Sequence, residues 1–392
     1  MSLPPGQTLV ITYVERLAVT NFRNYASASI EAGPAPIVLL GPNGAGKTNI
    51  LEAVSLLAAG QGLRRVAYPD LARHGGQGDW AVAARVIGVN GAIDIGTGQQ
   101  PSPPGQVASA TGRIVRLDGE TQAGSGVLAD HVEMVWLIPA MDGLFTGPPG
   151  DRRRFLDRLI LCFDPGYRTR AAAFERAMRH RNRLLADNVR DASQFHGLER
   201  VMAETGVAIA AVRAEAVAGL AATFVARRAR DPGSPFPWAD ISLDCALTRA
   251  LVTSAAVDVE DLYLRLMANG RERDRAAGRT LDGPHRADLV VAHGPKMMAT
   301  RLCSTGEQKA LLLGLVLAHA ELLAVRRDGA APILLLDEIA AHLDDLRRGA
   351  LFDEIIRLGI QAWMTGTDRP PFAALEGRAK FFEVREGQVV AG

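Results

Sequence analysis

The sequence predicts an α/β fold, with a mixed sheet around a phosphate-binding loop, an antiparallel sheet flanking it, and a helical insertion dividing the whole. Three observations predict this. An apolar run, Ile37–Leu40, leads into Gly41-Pro42-Asn43-Gly44-Ala45-Gly46-Lys47-Thr48, so a buried strand ends in a loop of the spacing G-x-x-x-x-G-K-[ST]. A second apolar run, Ile333–Leu336, ends in the paired acids Asp337 and Glu338. Between the two, from Asp151 to about Arg230, the composition shifts to Arg, Ala, Glu and Leu, with apolar residues at helical spacing.

From Tyr13 to roughly Ala67 the pattern reads strand, strand, loop, helix, the helix running over Asn49–Ala59. Between Gly75 and Ala129 come short β stretches, Trp80–Ile87 and Arg113–Leu117, broken by the turn-rich Gly96–Gly105 and by Asp118-Gly119. In the insertion Phe174 and Met178 lie one turn apart; Val212, Ala216, Leu220 and Phe224 recur every four residues, preceded by Leu198, Val201 and Met202. Two helices joined near Asn188–Ser193 predict a coiled-coil-like hairpin, each helix of ~20–30 residues reaching ~30–45 Å. Asp231-Pro232-Gly233-Ser234-Pro235 stops it. From Arg301 the chain is again α/β, with an apolar helix Lys309–Leu323, the strand Ile333–Leu336, a helix after Leu346, a strand Ala362–Thr365 and a closing strand pair around Glu386-Gly387. The expected domains are residues 1–150 and 246–392 as the two parts of one head, with 151–245 as the inserted arm.

The 392 residues are 48% hydrophobic and 22% charged, the profile of an ordinary globular protein rather than a disordered one. A net charge of +1 excludes a uniformly basic surface but not local basic patches. Cys162, Cys245 and Cys303 are far apart and lack the paired spacing of a zinc site, so buried thiols in a reducing compartment are expected. No apolar run approaches the ~20 residues of a membrane span, and Met1-Ser2-Leu3-Pro4-Pro5 does not begin a secretion signal. A cytoplasmic address and no membrane partner are the expectation.

The loop Gly41–Thr48 sits between strand and helix, the context its spacing requires. Glycines let backbone amides approach phosphate oxygens, and the helix N-terminus adds positive potential. Lys47 would bridge the β and γ phosphates of ATP and the Thr48 hydroxyl would bind Mg2+. Asp337 and Glu338 emerge at the C-terminal edge of their strand, where ligands bind in open α/β sheets. There Asp337 would hold Mg2+ through water, and Glu338 would orient and deprotonate the attacking water. Ser304-Thr305-Gly306-Glu307-Gln308 opens a long apolar helix. It reads either as a second anion site, with the Ser304 hydroxyl and Gly306 amide as donors, or as a capping box of Ser304 with Glu307.

A phosphate loop, then a Ser-x-Gly helix start, then an Asp-Glu strand followed by Leu343-Asp344-Asp345 is the order of ATP-binding-cassette ATPases and their SMC-like relatives. The chain resembles the RecF family of that superfamily. The resemblance runs from Leu17 almost to the C-terminus. It rests on Asn21-Phe22-Arg23-Asn24-Tyr25, the phosphate loop with Asn49-Ile50-Leu51-Glu52-Ala53, Gly147-Pro148-Pro149 with Arg152-Arg153-Arg154-Phe155-Leu156-Asp157, Gly283-Pro284-His285-Arg286-Ala287-Asp288, and Leu336–Asp345.

The resemblance implies an ABC-type ATPase head that dimerises head to head, ATP on Lys47 of one copy meeting Ser304 and Gly306 of the other. Asn49 joins the loop residues that hold the nucleotide. It further implies a weak, DNA-stimulated ATPase working as a slow switch in recombinational DNA repair, replication-fork recovery and the SOS response. Such a protein binds duplex DNA near single-stranded gaps and works with RecO and RecR to load recombinase, in the cytoplasm at the nucleoid. A transporter or SMC-type subunit, or a scaffold that senses ATP without hydrolysing it, would carry the same motifs. The insertion is too long for the transporter and too short for SMC. Departures from the superfamily are Cys303 in place of Leu, Glu307 in place of Gln, and Thr365-Gly366-Thr367 where a switch histidine is expected, with Thr365 as its substitute. Pro139-Ala140-Met141-Asp142 fits the family's Pro-Glu-Asp segment loosely and is assigned no ligand role.

Backbone binding to DNA needs clustered Lys or Arg. The candidates are Arg64 and Arg65, Arg152 to Arg154, and Arg176, Arg179, Arg181 and Arg183 in the arm, which read equally as a solvated face paired with acids. His285 and Arg286 read as nucleotide or DNA contacts, or as parts of the Gly283-Pro284 turn. Aromatic residues at 5% offer no stacking platform for reading single-strand sequence.

Overall fold

The computed structural model describes residues 12–101, 112–326 and 331–392. It divides into two compact units: the chain up to Asp142 with Asp231–Phe236 and Leu312–Gly392, and Gly143–Arg230 with Pro237–Leu311.

The first unit opens with β1 (Tyr13–Phe22), β2 (Tyr25–Glu31) and β3 (Ile37–Leu40), then α1 (Lys47–Ser55), β4 (Trp80–Gly88), β5 (Gly91–Gln99), β6 (Ile114–Leu117), β7 (Glu120–Thr121) and β8 (Met134–Leu137). In β4 buried and exposed residues alternate, which is why its sheet can face the core on one side. That sheet is antiparallel, in the order β2-β1-β4-β5-β6-β7. The stretch expected to be turn-rich is instead partly strand. Gly96 and Gly98 lie inside β5, and a Cβ on Gly98 would come within 2.4 Å of the Trp80 carbonyl, so here glycine marks close backbone approach rather than a turn. Residues 102–105 of that expectation lie outside the described residues. The Asp118-Gly119 turn stands as expected, with both φ angles positive (47° and 86°). The first helix is Lys47–Ser55 rather than Asn49–Ala59.

The second unit contains α2 (Pro149–Leu161), α3 (Tyr167–Ala186), α4 (Ala192–Arg230), β9 (Ala239–Asp244), α5 (Ala246–Leu251), α6 (Ala256–Asn269), α7 (Arg271–Ala276), β10 (Asp288–His293) and β11 (Met298–Ala299). The α3–α4 hairpin turns where expected and α4 stops at Arg230, before Asp231-Pro232. It is not a free coiled-coil arm, however, and the boundary at 245 does not stand. Residues 246–311 pack with the hairpin: α4 lies against α6 and β9, and the sheet β11-β10-β9 belongs to this unit. Val259, Tyr263 and Met267, one turn apart on α6, are all buried, giving that helix the apolar stripe that docks it.

Arg181, a candidate DNA contact, is fully buried in this unit. It bonds Glu199 (3.0 Å), Asp274 (2.7 Å), the Thr280 hydroxyl (2.8 Å) and the Met267 carbonyl (2.9 Å). A buried guanidinium needs such partners. Spacing places it on the inward face with Phe174, Ala177 and Leu185.

A long helix, α8 (Thr305–Arg326), then leads into β12 (Ile333–Leu336), α9 (Asp345–Arg357), β13 (Ala362–Gly366), β14 (Lys380–Arg385) and β15 (Gln388–Ala391). The central sheet runs β15-β14-β3-β13-β12-β8 and is parallel except at β15. Every residue of β3, β12 and β8 is buried, as in a sheet covered on both faces. α4 and α8 are both long and apolar enough, by length and composition, to cross a membrane, contrary to the sequence expectation. In α8, 78% of the apolar window is buried and every residue from Leu311 through Ala320 is sealed, as in a core helix. All three cysteines are buried, and none is joined to another in a disulfide.

Candidate functional site

The loop after β3 is shaped by two glycines. Gly41 has φ 151°, and a Cβ there would sit 2.2 Å from the Val384 carbonyl. Gly46 has φ 114°, and a Cβ would meet the Asn24 amide at 2.5 Å and the Tyr25 hydroxyl at 2.7 Å. Only glycine fits either place. Pro42, Asn43 and Gly44 form the exposed crest and Ala45 is buried beneath it. Lys47 folds back so that its Nζ donates to the carbonyls of Gly41 (2.6 Å) and Pro42 (2.9 Å). Its side chain is only 4% exposed. Burial pulls its pKa below the usual lysine value, while Glu338, Asp337 and Asp368 act in the opposite direction. The lysine thus lies within the field of three carboxylates.

Four residues predicted from distant parts of the chain converge here. The Thr48 hydroxyl donates to Asp337 (2.9 Å to Oδ1), the Thr365 hydroxyl donates to the same oxygen (2.8 Å), and the Glu338 amide donates to Thr365 Oγ1 (2.8 Å). Parallel pairing of β12 with β13 and β8 aligns the strand ends, and the Asp337 amide continues that ladder to the Leu137 carbonyl. Glu338 follows with φ 54°, a left-handed conformation that costs about 1–2 kcal/mol and is held by the bond to Thr365. Two hard oxygen groups, a hydroxyl and a carboxylate, meet beside the phosphate loop, a donor set that suits Mg2+.

Some residues matter more here than the sequence reading showed. The Asn24 amide donates to the Ala45 carbonyl (2.9 Å) and the Tyr25 hydroxyl to the Gly46 carbonyl (3.0 Å). Asn49 donates to Asn24 (2.8 Å) and accepts from Arg64 (3.0 Å), so it serves as a strut beneath the loop. Arg23 makes a two-point pair with the buried Glu52 (2.8 and 2.9 Å) on α1. The β1–β2 turn is therefore the brace of the phosphate loop. Its signal was present in Asn21–Tyr25 and Glu52, but nothing in spacing alone joined them.

Ser304 and Gly306 belong to the second unit. Ser304 caps α8 in a closed box: its amide and hydroxyl each donate to Glu307 Oε2 at 3.0 Å. The Lys296 ammonium takes Oε1 at 2.5 Å and, as the largest influence, holds the Glu307 carboxyl down at about 2. The capping-box reading is thus realised in geometry. Ser304 and Thr305 nonetheless remain exposed, and the space over Gly306 is open. Cys303 is buried; burial raises its pKa, and its carbonyl accepts from Gln308 (2.9 Å).

The candidate DNA contacts separate by burial. Arg152 forms a two-point pair with Asp288 (2.8 Å twice) and also donates to the Gly147 carbonyl (2.7 Å). Arg153 donates to the Ala287 carbonyl (2.6 Å), and Arg154 pairs with Asp151. The Arg152 and Arg153 bonds tie α2 to the Gly283–Asp288 segment. His285 lies in the same core, its Nε2 against the Thr280 carbonyl (3.0 Å), and burial lowers its pKa; Arg286 is exposed. Arg65, Arg176, Arg179 and Arg183 are exposed. Arg64 is 39% exposed while bonded to Asn49 and Glu52.

A family model described as the RecF/RecN/SMC N terminal domain matches residues 13–387. The DNA replication and repair protein RecF of Mesorhizobium japonicum is 54% identical over 378 residues, covering 96% of this chain and 97% of that one. The protein of the same name from Brucella suis is 51% identical, with 96% and 95% covered. Among solved structures, one described as the recombination mediator protein RecF-ATPrS in the RecFOR pathway superposes with TM-score 0.84 at 21% identity, covering 98% of this chain and 99% of that one. An Smc head domain from Pyrococcus furiosus reaches 0.55 at 17% identity, with 97% and 96% covered. Matched along nearly its whole length by the family model and by relatives with half their residues in common, the chain belongs to the RecF family.

Proposed function

We propose that this chain is an ATP-dependent, DNA-binding switch of recombinational DNA repair and replication-fork recovery. Relatives named as DNA replication and repair proteins support the repair role. The observation that carries the chemistry is the meeting of Thr48, Asp337, Thr365 and Glu338 beside Lys47.

Lys47 and the amides of Gly41–Thr48 hold the phosphates of ATP, with Asn49 steadying the loop from below. The Thr48 hydroxyl and, through water, Asp337 would hold Mg2+, which would supply charge neutralisation to the phosphates. Glu338 orients the attacking water and takes its proton. Two copies pair head to head, and Ser304 and Gly306 of one close over the ATP of the other. Cleavage of the γ-phosphate removes that shared contact and lets the pair relax. Hydrolysis is slow, so the pair lives long enough to mark a DNA site. The pair holds duplex DNA beside single-stranded gaps through the exposed Arg64, Arg65, Arg176, Arg179 and Arg183, while Arg152, Arg153 and Arg181 brace the fold. RecO and RecR are the partners in loading recombinase, in the cytoplasm at the chromosome; the RecFOR-pathway description of the solved relatives supports that class of partner.

Single-turnover hydrolysis tests the assignment. Glu338→Gln is expected to lose about 100-fold or more of the rate, and equal rates sink it. Mixing Lys47→Met with Ser304→Arg subunits tests the paired copies, because one intact site can form from two defective chains. If neither substitution changes ATP-dependent dimerisation, the sandwich is wrong.

A further inference from the structure

We propose that Thr365 is a positioning residue that couples the metal-binding acid to the catalytic acid, an inference that rests on the ATPase reading of the site. Thr365 is fully buried at the end of β13. Its hydroxyl has one proton, which goes to Asp337 Oδ1 at 2.8 Å, and its oxygen accepts the Glu338 amide at 2.8 Å. One side chain therefore fixes the carboxylate of Asp337 and the backbone of Glu338 together. Glu338 is left-handed at φ 54°, so its side-chain direction depends on a backbone that would relax without that bond.

Thr48 and Thr365 divide the work on Asp337. Thr48 stands on the helix that follows the phosphate loop and bonds Asp337 itself (2.9 and 3.1 Å). Thr365 stands on a strand that pairs with both β12 and β3. The residue after it, Gly366, accepts the Gly41 amide at 3.2 Å. The end of β13 is thus bonded to the start of the phosphate loop through the Gly366 carbonyl and to both acids through the Thr365 hydroxyl. A histidine reaching directly for phosphate is a different device; Thr365 acts through the acids and not on the nucleotide.

The test compares Thr365→Val, which keeps the shape and removes the hydroxyl, with Thr365→Ser, which keeps the hydroxyl. Thr365→Val is expected to lower single-turnover hydrolysis about 10–100-fold and to weaken Mn2+ binding, read by electron paramagnetic resonance, by a similar factor. ATP affinity without divalent metal stays at the wild-type value. Hydrogen exchange at the Glu338 amide, measured without nucleotide, speeds up in Thr365→Val and stays protected in Thr365→Ser, which also recovers rate and Mn2+ binding. The proposal is overturned if Thr365→Val keeps wild-type rate and Mn2+ affinity while Glu338→Gln is inactive. It is equally overturned if Thr365→Ser is as impaired as Thr365→Val, because packing then explains the loss. A Glu338→Gln variant as fast as wild type would instead remove the ATPase reading itself, and unchanged Glu338 exchange in Thr365→Val would remove the contact.

Discussion

Around Gly41–Lys47 the loop is gripped by groups far away in sequence: the Asn24 and Tyr25 side chains hold its carbonyls, and the Val384 backbone leaves no room for a side chain at Gly41. Around Ser304–Glu307 the contacts are local and exposed, with a serine capped by a glutamate that a nearby lysine holds. The first segment is held by long-range contacts within the chain itself. The second presents an open glycine and a hydroxyl shared with a carboxylate. The contrast teaches that one half of the proposed site is set by folding, while the other is an exposed helix start whose donors a ligand must win from Glu307.

The largest expected effect comes from transferring one change between the halves. Gly46→Ala forces a side chain onto Asn24 and Tyr25 at positive φ, about 1–3 kcal/mol of strain with displacement of the loop. Binding of fluorescent ATP should fall by up to ~100-fold. Gly306→Ala meets open space and should leave ATP binding by the single chain unchanged. Equal losses would break the comparison.

A smaller effect is expected from the brace. Asn24→Ala removes the donor to Ala45 and the acceptor for Asn49, a loss of about 1–2 kcal/mol, or roughly tenfold in ATP affinity by calorimetry. Unchanged affinity would show that the loop holds its shape without the β1–β2 turn.

The smallest effect concerns the exposed half. The Glu307 carboxyl is held at about 2, below its ordinary 4.5, first by Lys296 and then by Ser304. Because the folded value is depressed, its interactions are fully present above about 4.5 and are lost as pH falls towards about 2. In Lys296→Met the NMR titration midpoint of Glu307 should rise towards 4.5, while the melting temperature barely moves because solvent screens the pair. A midpoint that stays near 2 would assign the hold to Ser304 and the helix end.

The chemistry was easier to read than the support for it. The convergence of Lys47, Thr48, Asp337 and Glu338 was legible because the proposed phosphate and metal chemistry demands fixed residue types at fixed spacing, and strand order did the rest. The brace was not, because Asn24 meets Ala45 through a turn whose partners only folding selects. Arg181 was misread from composition, although its spacing with Phe174, Ala177 and Leu185 already placed it on the buried face of α3. The hairpin was legible from four-residue periodicity. Its union with residues 246–311 was not, since a stripe on α6 shows that the helix docks without showing where.

The folded-back Lys47 has a practical consequence. The chain contains four lysines, Lys47, Lys296, Lys309 and Lys380, so an amine-acylating reagent has few side chains to report on. Lys47 is sealed against loop carbonyls, whereas Lys380 on β14 bonds the Glu31 carbonyl at 3.1 Å. Mass spectrometry of acylated protein can therefore read the phosphate loop directly, with Lys380 as the internal standard and Lys47 as the clock of its opening.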